Sequence, residues 1–186
     1  MKKIYFVRHC SAHGQHRDSP LTKDGIKQAR ELAEYFNELP ITFDLILSSP
    51  YLRAIESIKP YAELTNSTIQ IDERLKERIL SEEPVEDWMD GLEQSFLDEH
   101  FSLPGGESAR DLLHRCNGVL NPLYNDSSIK HAIIVSHGNL LSHVFHQFDK
   151  RFGFNQWKEL RNPDIYLLQF DDTDSMLECV WRPIEL

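Results

Sequence analysis

The chain has 186 residues, enough for one well-buried domain and too few for two large ones. Its formal net charge of −10 excludes the basic face that nucleic-acid binding needs, although a few convergent arginines suffice for a small phosphate ester at contact range. An odd number of cysteines with no CxxC pair (Cys10, Cys116, Cys179) argues against a disulfide framework or a cysteine-rich zinc site and fits a reducing, cytoplasmic compartment.

Residues 2–7 read as a buried strand, and Arg8-His9 sits at its end. The apolar part of this run is far too short for a signal-peptide core, and no stretch approaches the ~18 apolar residues of a membrane span. A polar loop, 10–20, follows. Thr22 then caps a helix with Ile26, Ala29, Leu32, Ala33, Phe36 and Leu39 as its apolar stripe, stopped by Pro40. Residues 43–47 form a second buried strand that ends in Ser48-Ser49-Pro50. A helix from about Tyr51 turns Leu52, Ile55, Ile58 and Ala62 inward, with a kink expected at Pro60. Residues 69–71 make a short strand.

The segment 74–106 is less regular and holds one helix, with Val85, Trp88, Met89, Leu92 and Phe96 on its apolar side. Ser108 caps the next helix, which carries Leu112, Leu113, Cys116, Val119, Leu120 and Leu123. Residues 131–135 are a third buried run, leading into Ser136-His137-Gly138 and a helix from about Asn139. Residues 165–170 and 177–181 close the chain as strands, with a hairpin expected across Asp172-Thr173-Asp174. Alternating strands and helices predict a three-layer α/β/α sandwich with a mostly parallel central sheet. We expect one domain over 1–186, with 74–106 as a small helical insertion roofing the site.

The chemistry gathers where strands end, which is where open α/β sheets bind ligands. His9, Arg53, Glu77 and His137 lie just past predicted strands or in adjoining loops, and Arg8 flanks the first. Arginine forks grip phosphate oxygens, a neutral imidazole attacks phosphorus, and a carboxylic acid protonates the leaving oxygen. The Gly138-Asn139 amides, at a helix start, add anion-binding N–H groups.

These blocks carry a resemblance. Arg8-His9, Pro20-Leu21-Thr22 with Gly25 and Gln28-Ala29, Ser48-Ser49-Pro50-Tyr51-Leu52-Arg53-Ala54, Leu75-Lys76-Glu77, Pro104-Gly105-Gly106-Glu107-Ser108 and Val135-Ser136-His137-Gly138 stand in the order found in the histidine phosphatase superfamily. The chain resembles its phosphoglycerate-mutase-like branch over roughly residues 1–170. The resemblance implies His9 as the nucleophile that becomes phosphohistidine. It implies Arg8, Arg53 and His137 around the transferring phosphoryl group, and Glu77 as general acid and then base; the Gly138 amide is the phosphate contact expected from the helix start. The chain departs at Cys10, Ser11 and Ala12, where the family carries Gly, an acidic residue and often Thr. It departs again after Glu77, where no glycine-rich stretch follows, so Glu82 and Glu83 are alternative acids.

Other readings stand beside this one. Alone, a histidine at a strand end or an arginine on an exposed first helical turn is usually structural or solvated. His143 and His146 at i, i+3, with His13 and His16, can ligate metal, but no Cys or acidic cluster joins them, and we expect no metal or cofactor. The segment from His9 to Arg17 also resembles a cysteine-phosphatase loop, but its arginine falls one position late and the reading leaves Arg53 and His137 without a role. The expected activity is hydrolysis of a small phosphorylated metabolite through phosphohistidine. Mutase-type phosphoryl transfer and a catalytically silent phosphate-binding module are the alternatives. Glu82, Glu83, Glu86, Asp87 and Asp90 in the roof are expected to repel a second phosphate and keep the site hydrated. Substrate identity and oligomeric state are not legible.

Overall fold

A computed structural model describes residues 1–171 and 174–181. Its core is one six-stranded sheet in the order β3-β2-β4-β1-β5-β6. The strands are β1 (Lys2–Arg8), β2 (Leu45–Ser48), β3 (Ile69–Ile71), β4 (His131–Ser136), β5 (Asp164–Phe170) and β6 (Ser175–Cys179). The pairs β1–β4, β2–β4 and β2–β3 are parallel, whereas β5 runs antiparallel to both β1 and β6. The sheet is thus mostly parallel, as the alternating pattern predicts.

Among the described residues six α-helices accompany it: α1 (Lys23–Glu38), α2 (Leu52–Thr65), α3 (Trp88–Leu97), α4 (Ala109–Asn125), α5 (Gly138–Phe148) and α6 (Phe154–Glu159). Strand periodicity separates the two faces. Ile4 and Phe6 of β1, with Ala132 and Ile134 of β4, pack on Leu112 and Leu120 of α4 and Leu141 and Phe145 of α5. Tyr5 and Val7, with Ile133 and Val135, pack on Leu32 and Phe36 of α1 and Ile58 and Tyr61 of α2. Burial on both faces is why these strands read as continuous apolar runs.

Capping follows the sequence. The Thr22 hydroxyl accepts from Gly25 N–H, and Ser108 and Asp111 form a reciprocal capping box on α4. Gly25 has a second reason to be glycine: a Cβ there would lie 2.0 Å from the Ser11 carbonyl oxygen, so the loop after β1 folds directly onto α1.

Some expectations need correction. Ile26 is 47% exposed, because α1 buries only the stripe from Gly25 through Ala29, Leu32 and Ala33 to Phe36. On α2 the buried face is Arg53, Ala54, Ser57, Ile58, Tyr61 and Ala62, so Leu52 and Ile55 are only half-buried. β6 begins two residues before the expected strand. It is an edge strand, exposed along most of its length, whose register is set by pairing with β5 rather than by apolar alternation. The helix α6 has no counterpart in the expected elements. Asp172 and Thr173, two of the three residues of the expected hairpin turn, lie outside the described residues.

Candidate active site

Sheet register brings the chemistry together. Arg8 pairs with Ser136 at the carboxyl ends of β1 and β4, and Ser48 of β2 pairs with Val135. The next residues along these strands, His9, His137 and Ser49, therefore emerge side by side. The His9 and His137 rings lie 5.2 Å apart between centroids. Arg53, one residue into α2, lies between them. Its Nε donates to His9 Nε2 at 3.1 Å and its Nη2 to His137 Nδ1 at 3.3 Å, while Nη1 donates to the carbonyls of Gln15 and His16. Arg53 is 1% exposed: four acceptors hold a side chain that would otherwise be solvated.

These partners assign the tautomers. His9 Nδ1–H donates to the Cys10 carbonyl at 2.7 Å, leaving Nε2 as the acceptor facing Arg53. Burial, with the charges of Arg53 and Arg8, holds the His9 pKa down at about 3, although its bond to the Cys10 carbonyl pulls the other way. The ring is thus neutral at physiological pH, the form that has a lone pair to give. The Asn162 amide donates to the His9 carbonyl at 2.7 Å and fixes the backbone below it. His137 Nδ1 accepts from Arg53, so its Nε2 donates to Ser49 Oγ at 2.7 Å. Burial, with His9 and the nearby arginines, keeps its pKa well below the usual value.

A cavity of about 610 Å³ lies over this cluster, lined by Arg8, His9, Arg53, Glu77, Gly138, Asn139 and others. Arg8 Nη1 donates to the Leu160 carbonyl, and its buried Nε has no partner among the described residues. A Cβ on Gly138 would come within 2.9 Å of that Nε, so glycine is what lets the guanidinium lie against the start of α5. Glu77 lines the same cavity. Its carboxylate accepts from the amides of Arg78 (2.7 Å), Asn139 (3.1 Å) and Leu140 (3.0 Å). Arg115 holds this segment by donating to the carbonyls of Arg74, Lys76 and Glu77.

All six expected site residues thus converge, with three corrections of detail. His137 is fully buried and does not line the cavity; Arg53 and Tyr51 cover it, so it touches the cavity through Arg53. The Asn139 amide is not open to an anion, because Glu77 already occupies it. The acids Glu82, Glu83, Glu86, Asp87 and Asp90 do not line the cavity but face solvent; from the segment 74–106 the cavity is lined by Glu77, Arg78, Leu80, Trp88 and Leu92.

The competing readings place their residues elsewhere. Cys10 is buried in the core against α1 and α2, and burial pushes its thiol up to about 12. His143 stacks on Phe96 and pairs with Arg78, while His146 bonds to the Phe152 carbonyl. Four contributors were not singled out from the sequence: Ser49, Asn162, Arg78 and Trp157. Ser49 lay inside a recognised block. The others sit in segments without a motif.

Relatives fit this arrangement. A Hydrogenobacter thermophilus protein bearing the provisional name phosphoserine phosphatase 2 is 30% identical, over 76% of this chain and 75% of its own. The 2,3-bisphosphoglycerate-dependent phosphoglycerate mutase of Rhizobium etli is 26% identical, over 76% of this chain and 77% of its own. Among solved structures, a mycobacterial glucosyl-3-phosphoglycerate phosphatase superimposes with a TM-score of 0.75 at 20% identity, over 96% of this chain and 97% of its own. A phosphoserine phosphatase of Entamoeba histolytica, solved with 3-phosphoglyceric acid, gives 0.72 at 22% identity over 98% of each chain. The model of the histidine phosphatase superfamily (branch 1) matches residues 4–181, and the chain belongs to that superfamily.

Proposed function

We propose that the protein hydrolyses a small phosphomonoester through phosphohistidine at His9, with residues 1–186 acting as one domain roofed by 74–106. The observation that carries this reading is the neutral His9 ring, whose Nε2 lone pair faces Arg53 at the floor of a cavity that Arg8 also lines. In the first step Nε2 attacks phosphorus, the N–P bond forms and the P–O bond to the alcohol breaks. Arg53 Nε moves from His9 to a phosphoryl oxygen, and Arg8 Nε, which has no partner among the described residues, takes another. Their charge offsets what builds on the phosphoryl group, the part a metal ion takes elsewhere, and we propose that no metal is needed. Glu77, freed from one of its amide donors and protonated by exchange with solvent, gives that proton to the leaving oxygen. In the second step Glu77 takes a proton from water, whose oxygen bonds to phosphorus as the N–P bond breaks; inorganic phosphate leaves and His9 Nε2 regains its lone pair.

Hydrolysis is favoured over mutase transfer by the mouth of the cavity, where Trp88 is 45% exposed and solvent has access. A mutase must keep water from its phosphoenzyme. Three free cysteines, two of them buried, accord with a reducing, cytoplasmic setting. The test is a screen of phosphorylated metabolites with His9→Ala as control, including phosphoglycerates with and without a bisphosphoglycerate primer. Phosphate release that depends on His9 is expected. Primer-dependent isomer interconversion outrunning phosphate release would establish the mutase instead.

A further inference from the structure

The floor and the mouth of the cavity differ in chemistry. At the floor, His9 and Arg53 are 7% and 1% exposed. At the mouth, Trp88 of α3 meets Trp157 of α6 edge to face, 6.1 Å between ring centroids. Trp157 is held by stacking on Phe154 at 5.6 Å and 16°. Leu80 and Leu92 extend the same wall. A cavity of about 610 Å³ is far larger than a phosphoryl group, so this upper part faces the alcohol.

Charge divides the same way. The cations lining the cavity are Arg8, Arg53 and Arg78. The first two flank His9. Arg78 is committed to the protein: it donates twice to the Glu107 carbonyl, once to Ser95 Oγ and once to His143 Nε2. Four of its five N–H donors are thus spent, so it offers a carboxylate on the alcohol at most one Nη2–H. An uncharged ring meets no such obstacle and buries apolar area against indole faces.

We infer that the phosphomonoester taken by this site carries an uncharged, ring-bearing alcohol whose ring packs on Trp88 and Trp157, rather than a short carboxylated one. The inference rests on the hydrolase reading and specifies its substrate class. 3-Phenylpropyl phosphate and n-propyl phosphate release alkoxides of similar basicity, so the ring is what distinguishes them. The expected kcat/KM ratio is on the order of 10–10² in favour of the ring. Trp88→Ala and Trp157→Ala each cut that ratio to about 3 or less, and Trp88→Phe largely keeps it, because the ring rather than the fold sets it. A folding defect would lower both esters together and leave the ratio unchanged. A wild-type ratio near unity, a preference for O-phosphoserine or 3-phosphoglycerate, or a ratio that survives both alanine substitutions would overturn the inference. Calorimetric binding of 4-phenylbutylphosphonate against n-butylphosphonate reads the same discrimination without turnover. Ring-selective binding with no ester hydrolysed would defeat the hydrolase reading and uphold the ring subsite. Hydrolysis without ring selectivity would do the reverse.

Discussion

Arg53 Nε donates to His9 Nε2 across 3.1 Å, so the proposed nucleophile and its main electrostatic partner already touch. The same guanidinium reaches His137 and the carbonyls of Gln15 and His16. One planar fork thus ties the ends of two strands to the loop that follows the first of them.

A lysine cannot reproduce that geometry, since it offers a single ammonium point. Arg53→Lys is expected to lower kcat/KM by on the order of 10²–10³. It is also expected to speed amide hydrogen exchange in the loop around Gln15 and His16, whose carbonyls lose a shared donor. Normal exchange with the same loss of activity would confine Arg53 to substrate contact.

Glu77 is expected to matter in proportion to how poor the leaving group is. Glu77→Gln should cost on the order of 10²–10⁴ on alkyl phosphates and much less on p-nitrophenyl phosphate. Equal losses on both would mean that the carboxylate serves only to hold the amides of Asn139 and Leu140.

Gly138→Ala drives a Cβ to within 2.9 Å of Arg8 Nε. Arg8 is the far end of a flexible side chain and gives way, so stability is expected to change by less than about 1 kcal/mol. The displaced guanidinium grips phosphate less well, and the inhibition constant of inorganic phosphate is expected to rise about tenfold. An unchanged constant would remove Arg8 from the phosphate site.

Three buried imidazoles set an acid limit to folding. Burial first, then neighbouring arginines, lowers the pKa of His9 to about 3; burial with Arg78 does the same for His143, and His137 falls well below its usual value. Below the ordinary value near 6.5 the unfolded chain takes up protons that the folded chain refuses. Stability is therefore expected to fall as pH drops from about 6.5 to about 5, above the range in which most carboxylates titrate, and to go on falling below it. Denaturant titrations at stepped pH values measure this, and His143→Gln is expected to make the slope shallower by about one proton. A flat profile over that window would show that the rings are protonated in the folded protein.

Metal independence is tested by chelation. Activity is expected to persist in excess chelator. Loss that one divalent ion restores would mean that the arginines do not suffice.

How much was legible depended on whether a residue's role is local. Arg8, His9, Arg53 and His137 belong to short blocks at strand ends, and sheet register converts such blocks into a cluster. The place of Glu77 at the cavity was legible from its block, while Glu82 and Glu83 face solvent. Asn162 and Trp157 were not legible, because each acts on a partner far along the chain, His9 or Trp88, and no local pattern marks such a contact. The six-residue helix α6 carries no full apolar stripe to announce it. The burial of Arg53 ran against the usual fate of an arginine on a first helical turn, and only its four acceptors explain it.

The most direct test of the account is to trap the phosphoenzyme. After brief exposure to labelled substrate, the protein is quenched in base or in acid, and the label is mapped. Phosphohistidine at His9 predicts a label that survives base and is lost in acid, is absent from His9→Ala and is retained by Cys10→Ala. A label that persists in His9→Ala, or that disappears with Cys10→Ala, would contradict it.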